Sequence, residues 1–185
     1  MVIVIIWAVF GINFVEVVDA TLLALAGLKR LGMNDVIQGA QIITWEEMLP
    51  AVAQGAIGIQ CRSDDSKALH YLAALNHKVT KTAVDCERAF LAELDGNCRT
   101  PIAGQAKIVD GQLHFRGLIS KPDGTDMISV TKVGSPDDAV AIGRAAGEEV
   151  KKIAGPQKFK EYQEAVIAKQ DEAAAAKLMA QKAQA

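Results

Sequence analysis

The sequence lacks the pairings that build metal and disulfide frameworks. Its three cysteines, Cys61, Cys86 and Cys98, include no C-x-x-C, and its three histidines, His70, His77 and His114, include no pair at helical spacing. No metal is expected on that pattern, and an odd cysteine count without a framework suits a reducing compartment. Excess charge of either sign is also missing: 20 basic residues face 22 acidic ones, for a net charge of −2. That balance gives no reason to expect nucleic acid or an anionic membrane as a partner. Arginine is scarce, with only Arg30, Arg62, Arg88, Arg99, Arg116 and Arg144. One long apolar stretch exists, residues 1–18, interrupted by Gly11, Asn13 and Glu16. It has neither the basic start of a signal peptide nor the Arg- and Ser-rich composition of a transit peptide. Its length only just reaches a membrane span, and the carboxylate at Glu16 shortens it. A membrane anchor, a buried strand pair and a start foreign to the rest of a truncated chain all stay open.

What is present reads as a mixed α and β chain with half its residues apolar. Ala20 to Leu25 is a short apolar run, expected as a buried strand. Ala26 to Leu31 reads as a helical turn stopped by Gly32, and it carries Lys29 and Arg30. Thr44-Trp-Glu-Glu has capping-box spacing, with Thr44 as N-cap and Glu47 reaching back, and Pro50 closes that short helix. Ala51 to Cys61 carries Gly55 and Gly58 in an apolar run, which predicts close backbone approach to a ligand or another segment. Ser63-Asp-Asp-Ser offers N-caps for a helix from about Asp65 to Leu75, with Ala68, Leu69, Leu72 and Leu75 on one face.

Thr80 to Leu94 is predicted helical. Ala83, Cys86, Phe90 and Leu94 form a buried stripe, so Cys86 is read as core, and Glu87 and Arg88 as solvated. Three strand-like runs follow, at 102–109, 112–119 and 126–133. Asp110-Gly111 and Lys121-Pro-Asp-Gly are their turns, so neighbours are antiparallel. Ser135-Pro-Asp-Asp starts a helix with the stripe Ala139, Ile142, Ala146, Val150 and Ile153, stopped at Gly155-Pro156. Residues 157–185 are rich in Ala, Lys, Gln and Glu. One docked turn at Phe159, Tyr162 and Val166 is allowed there, then an exposed helix that contributes little to the fold.

Between the helix and the first of those strands lies Leu94-Asp-Gly-Asn-Cys-Arg-Thr-Pro-Ile-Ala-Gly. Gly96 suits the left-handed position that ends a helix, and Pro101 prevents its resumption. Cys98 thus sits on a short turn beside Arg99. A thiol so placed is suited to react or to carry a group, or is simply a half-buried surface cysteine.

The stretch from Val84 through this turn to Gly104 resembles the cofactor-cysteine region of the hydroxymethylbilane synthase (porphobilinogen deaminase) family. The resemblance extends to Asp19-Ala-Thr-Leu-Leu-Ala-Leu-Ala-Gly-Leu-Lys-Arg-Leu-Gly, Leu49-Pro-Ala-Val-Ala-Gln-Gly-Ala-Ile-Gly-Ile and Leu75-Asn-His upstream. Downstream it takes in Phe115-Arg-Gly-Leu and Pro122-Asp-Gly, in all roughly residues 19–155. It implies a transferase that condenses four porphobilinogen molecules head to tail with loss of ammonia, in haem and chlorophyll biosynthesis. It implies a dipyrromethane held by a thioether to Cys98, with Arg30 binding pyrrole carboxylates and Gln54 facing the cleft. Porphobilinogen and the growing polypyrrole chain are the implied partners, with no nucleic acid, no membrane and a monomeric state expected.

The implied fold is a remnant of a periplasmic-binding-protein-like α/β domain, then a small α+β domain of a three-stranded antiparallel sheet with helices on one face. The expected organisation is 1–18 as a non-matching start, 19–75 as the end of the second domain and the cleft-crossing segment, 76–155 as the cysteine domain, and 156–185 as a tail. The family's arginine-bearing lead-in has no counterpart before Arg30, and its catalytic aspartate has none either, so no catalytic residue is identified. The chain alone is therefore expected to be inactive. The alternative is a non-catalytic remnant or binding protein of the same family. The wording resembles plant and algal members, which implies a plastid, with the cytoplasm as the alternative.

Overall fold

The structure is a computed structural model that describes residues 3–7, 20–38, 40–96 and 100–183. The chain separates into two compact units, Met1–Pro50 and Ala51–Ala185. In the first, strand β1 (Ile3–Trp7) lies between β2 (Ala20–Ala24) and β3 (Ala40–Ile43), antiparallel to both. Helices α1 (Leu25–Arg30) and α2 (Asn34–Gln38) fill the connection from β2 to β3. Gly32 adopts φ +69° where α1 ends, and Leu25 and Leu28 are buried against Val36, Ile37 and Ala40. The strand expected to be buried is not: Leu22 is 51 % exposed and Leu23 41 %. Among the described residues of this unit the helices are short, six and five residues. Thr44 and Glu47 make half of the expected capping box, the Thr44 N–H donating to the Glu47 carboxylate at 2.8 Å. They close a turn rather than a helix.

The second unit contains the larger core. Strands β4 (Ile102–Val109), β5 (Gln112–Ile119) and β6 (Ile128–Gly134) form an antiparallel meander in the order β4-β5-β6. Burial alternates along each strand, so Ile102, Ala106, Leu113, Phe115, Ile119, Ile128 and Val130 share the covered face. Helices α4 (Lys78–Glu93) and α5 (Ala139–Ala183) cover that face. Cys86, Phe90 and Leu94 of α4 are buried as expected, and the rings of Phe90 and Phe115 meet at 5.0 Å. The two helices approach closely because α5 carries glycines at the crossing. A Cβ on Gly143 would lie 2.0 Å from the Cys86 carbonyl oxygen. Helix α3 (Ser66–Ala73) is capped by Asp65, whose carboxylate accepts the Ala68 N–H at 2.9 Å. Its apolar face is not buried, with Leu69 46 % and Leu75 68 % exposed.

The C-terminal segment departs from expectation. Ser135 caps a 3₁₀ turn at Pro136–Asp138 that leads into α5. Gly155, at φ +72°, kinks α5 instead of stopping it, and Pro156 begins the continuation. Ile153 falls outside the buried stripe, at 55 % exposed. The continuation returns to the sheet: Tyr162 is only 1 % exposed and Val166 8 %. The Tyr162 hydroxyl donates to the Asp126 carbonyl, and Lys158 and Lys121 pair with the Asp126 carboxylate. Phe159, Tyr162 and Val166 dock here at helical spacing, and the β5–β6 turn supplies polar partners for the Tyr162 hydroxyl and for Lys158.

Candidate functional site

Cys98, with Asn97 and Arg99, lies outside the described residues; its two flanks are described. On the upstream flank α4 ends in a double hydrogen bond. The Gly96 N–H donates to the Leu91 carbonyl at 3.0 Å and the Asp95 N–H to the Ala92 carbonyl at 3.1 Å. This is the Schellman arrangement, and the left-handed residue in it is Asp95, at φ +51°, not Gly96 as the sequence suggested. A short polar side chain tolerates that conformation. Gly96 is required for a different reason: a Cβ there would come within 2.6 Å of both Leu91 and Ile102 side chains. On the downstream flank the Ser120 N–H donates to the Pro101 carbonyl at 3.1 Å, tying the loop's exit to the end of β5. A cavity of about 280 Å³ lies beside both flanks, lined by Asp95, Thr100 and Pro101 and by Tyr162 and Val166 of α5.

Of the other two cysteines, Cys86 differs sharply from a reactive thiol. Cys86 is fully buried, and burial, with the neighbouring Glu87, pushes its thiol up to about 12. Only a thiolate is a useful nucleophile, so Cys86 is inert. Cys61 is half-buried, after a run in which Ile57 is 89 % and Ile59 59 % exposed. No described segment of the chain lies within 4 Å of a Cβ at Gly58. Gly55 serves a turn instead, at φ +85°.

Gln54 is exposed on that turn and lines a groove of about 440 Å³ between the turn, α4 and β4. Arg30 is exposed in the last turn of α1, where with Lys29 it complements the helix's negative end. It belongs to the first unit and Gln54 to the second. Among the described residues no group of three His, Cys, Asp or Glu side chains is arranged to hold a metal ion. No helix among them is long and apolar enough to cross a membrane.

One residue at the groove overturns its sequence reading. Glu87 is 6 % exposed rather than solvated. One carboxylate oxygen accepts the Ala53 N–H at 2.7 Å, and the other accepts the Ala106 N–H at 2.8 Å. Burial outweighs these bonds and holds its pKa above the usual glutamate range. The sequence did contain a signal. Glu87 stands four residues after Ala83 and three before Phe90, on the same helical stripe. Arg88 is exposed, as expected.

Two family models match the chain in order. Residues 13–70 match the porphobilinogen deaminase "dipyromethane cofactor binding domain", and residues 81–152 match the porphobilinogen deaminase C-terminal domain. Among curated proteins, the chloroplastic porphobilinogen deaminase of Pisum sativum is 56 % identical over 146 residues, covering 77 % of this chain and 39 % of the relative. The chloroplastic enzyme of Oryza sativa subsp. japonica is 51 % identical over 149 residues, covering 79 % and 41 %. The porphobilinogen deaminase of Nitrobacter hamburgensis is 47 % identical over 141 residues, covering 76 % and 44 %. The chain thus spans about two fifths of the length of the curated relatives it matches. With two models of one family matched in succession, and identities near half to plant and bacterial members alike, the chain belongs to the porphobilinogen deaminase family.

Proposed function

We propose that the chain supplies the cysteine-bearing part of a hydroxymethylbilane synthase, with Cys98 as the residue that holds a dipyrromethane. The observation that carries this reading is the pair of family-model matches, over residues 13–70 and 81–152, the second of which spans Cys98. The thiol chemistry supports it: a thioether needs a thiol that ionises, and Cys86 is excluded by its raised pKa. When bound, a dipyrromethane supplies the fixed primer on which porphobilinogen units are joined, each with release of ammonia. Fixing the primer makes each addition effectively intramolecular. Arg30 and Gln54 face the primer and the growing chain in this reading, Arg30 by pairing with acetate or propionate carboxylates.

In this reading residues 19–75 are the end of a periplasmic-binding-protein-like domain and the cleft-crossing segment, 76–155 the cysteine domain and 156–185 a tail. A plastid is the proposed location, since the Pisum and Oryza relatives are named chloroplastic. A monomer is the proposed state. No carboxylate of this chain is assigned to proton transfer, so the isolated chain is expected not to turn over porphobilinogen. A missing general acid or base typically costs about 10²- to 10⁴-fold by itself.

The test is a graft. Residues 19–155 replace the matching segment of the Pisum enzyme, and uroporphyrin formation from porphobilinogen is followed. Activity in the graft and its loss in the graft carrying Cys98→Ser are expected. A folded but inactive graft, or an active Cys98→Ser graft, contradicts the proposal.

A further inference from the structure

We propose that Glu87 is the positioning residue of the Ala51–Gly55 turn, its carboxylate holding the turn, and Gln54 upon it, against the outer edge of the sheet. β4 is an edge strand, and an edge leaves backbone N–H and C=O groups without a neighbour. Here the edge is covered in two steps. Ala51 pairs with Ala103 in an isolated antiparallel bridge. Further along β4, Glu87 takes the N–H of Ala106 with one carboxylate oxygen and the N–H of Ala53 with the other.

The turn needs such a restraint. Ala53 sits at φ +58°, a left-handed conformation unfavourable for a residue with a Cβ. It persists only where its surroundings hold it. The turn's own bonds, Gln54 N–H to the Ala51 carbonyl and Ala56 N–H to the Ala53 carbonyl, both at 3.1 Å, are local and exert no hold on the domain. Beside the Ala51–Ala103 bridge and the packing of Val52 on the core, the carboxylate links Ala53 at the turn's apex to both α4 and β4. Among the described residues few charged groups face it, and the charge of the chain's N-terminus also acts on it. Of the residues lining the groove only Lys107 is otherwise charged, on α4 the neutral Cys86 thiol is adjacent, and the turn itself contributes no titratable side chain.

The positioning role rests on the proposed function only for what Gln54 would contact, and the experiment reads the turn itself, whatever chemistry the chain performs. Residue-resolved amide hydrogen exchange is measured on the full chain and expressed as protection relative to an unstructured peptide. Leu113 and Phe115 report global opening. In Glu87→Ala, protection at Ala53 and Ala106 is expected to fall about 10- to 100-fold while Leu113 and Phe115 hold. In Glu87→Gln, which keeps one acceptor oxygen, one of the two amides is expected to stay protected. The wild-type chain supplies a second readout that needs no variant. Protection at Ala53 should change with pH at the midpoint at which the Glu87 carboxyl carbon titrates, a dependence that Glu87→Gln abolishes. Wild-type protection at Ala53 in Glu87→Ala, or a pH-independent Ala53 amide in the wild type, would overturn the proposal. Loss at Ala53 and Leu113 in equal measure would overturn it too, by making Glu87 a residue of the global fold alone.

Discussion

The two units obtain their order by different means. Residues 51–185 enclose a core that runs from Cys86 to Tyr162 through two helices and three strands. Residues 1–50 enclose, among the described side chains, Leu25 and Leu28 with three half-buried neighbours. Both contain a three-stranded antiparallel sheet. Pairing strands is therefore not what separates them. A sheet becomes independently stable when one face is covered by apolar surface. In the second unit α4 and α5 supply that cover; in the first, α1 and α2 are six and five residues long. The exposed Leu22, Leu23, Leu31 and Ile42 show the consequence.

The comparison breaks most readily at the centre of the larger core. Phe90→Ala should destabilise the second unit by about 3–5 kcal/mol, the range for a fully buried aromatic. Leu28→Ala should leave that unit's transition within about 0.5 kcal/mol. Both tryptophans, Trp7 and Trp45, lie in residues 1–50, so tryptophan fluorescence in urea follows one unit and far-ultraviolet circular dichroism is dominated by the other. A tryptophan transition that moves with Phe90→Ala as far as the dichroism does would show that the units unfold as one.

The C-terminal helix sharpens it next. Tyr162→Ala should cost about 3 kcal/mol, whereas truncation after residue 171 should shift the melting midpoint by about 2 °C or less. Equal effects would place the helix's hold beyond Val166. Here the sequence was hard to read for a physical reason. Apolar residues are sparse after Gly155, so the sequence allowed only one docked turn, at Phe159, Tyr162 and Val166, and otherwise indicated an exposed helix. The docking depends on the Asp126 carbonyl and carboxylate, which the fold brings to Tyr162 and Lys158 from 36 and 32 residues away.

The smallest expected effect is that of pH. Glu87 is an acid whose folded-state value lies above its unfolded one, because burial outweighs its two N–H bonds. The folded chain therefore holds the proton more tightly. Stability should fall as pH rises from the ordinary glutamate range through the raised value, and this slope should vanish in Glu87→Gln. Urea midpoints of the two proteins across that range check the sign; a wild-type advantage that grows with pH contradicts it.

Strand runs at 102–109 and 112–119 were legible to the residue, because alternation and the Asp110-Gly111 turn leave one register. The Cys86 stripe was legible from helical spacing. Glu87 shares that stripe, but its carboxylate outweighed the spacing, since such a group is ordinarily excluded from a core. Only the fold shows two otherwise unpaired N–H groups converging on it. The end of α4 ahead of Gly96 was legible, yet the reason for that glycine was not. Gly96 answers to the Leu91 and Ile102 side chains, one of which lies across the turn.

The central claim is that Cys98 holds the pyrrole primer, and adduct mapping tests it most directly. The purified chain is incubated with hydroxymethylbilane, whose terminal hydroxymethyl carbon can form a carbon–sulfur bond as water leaves. Peptide mass spectrometry then locates the added pyrrole mass. The account predicts the mass on the peptide containing Cys98, with Cys61 and Cys86 unmodified. An adduct on Cys61 or Cys86, or none on Cys98, would contradict it.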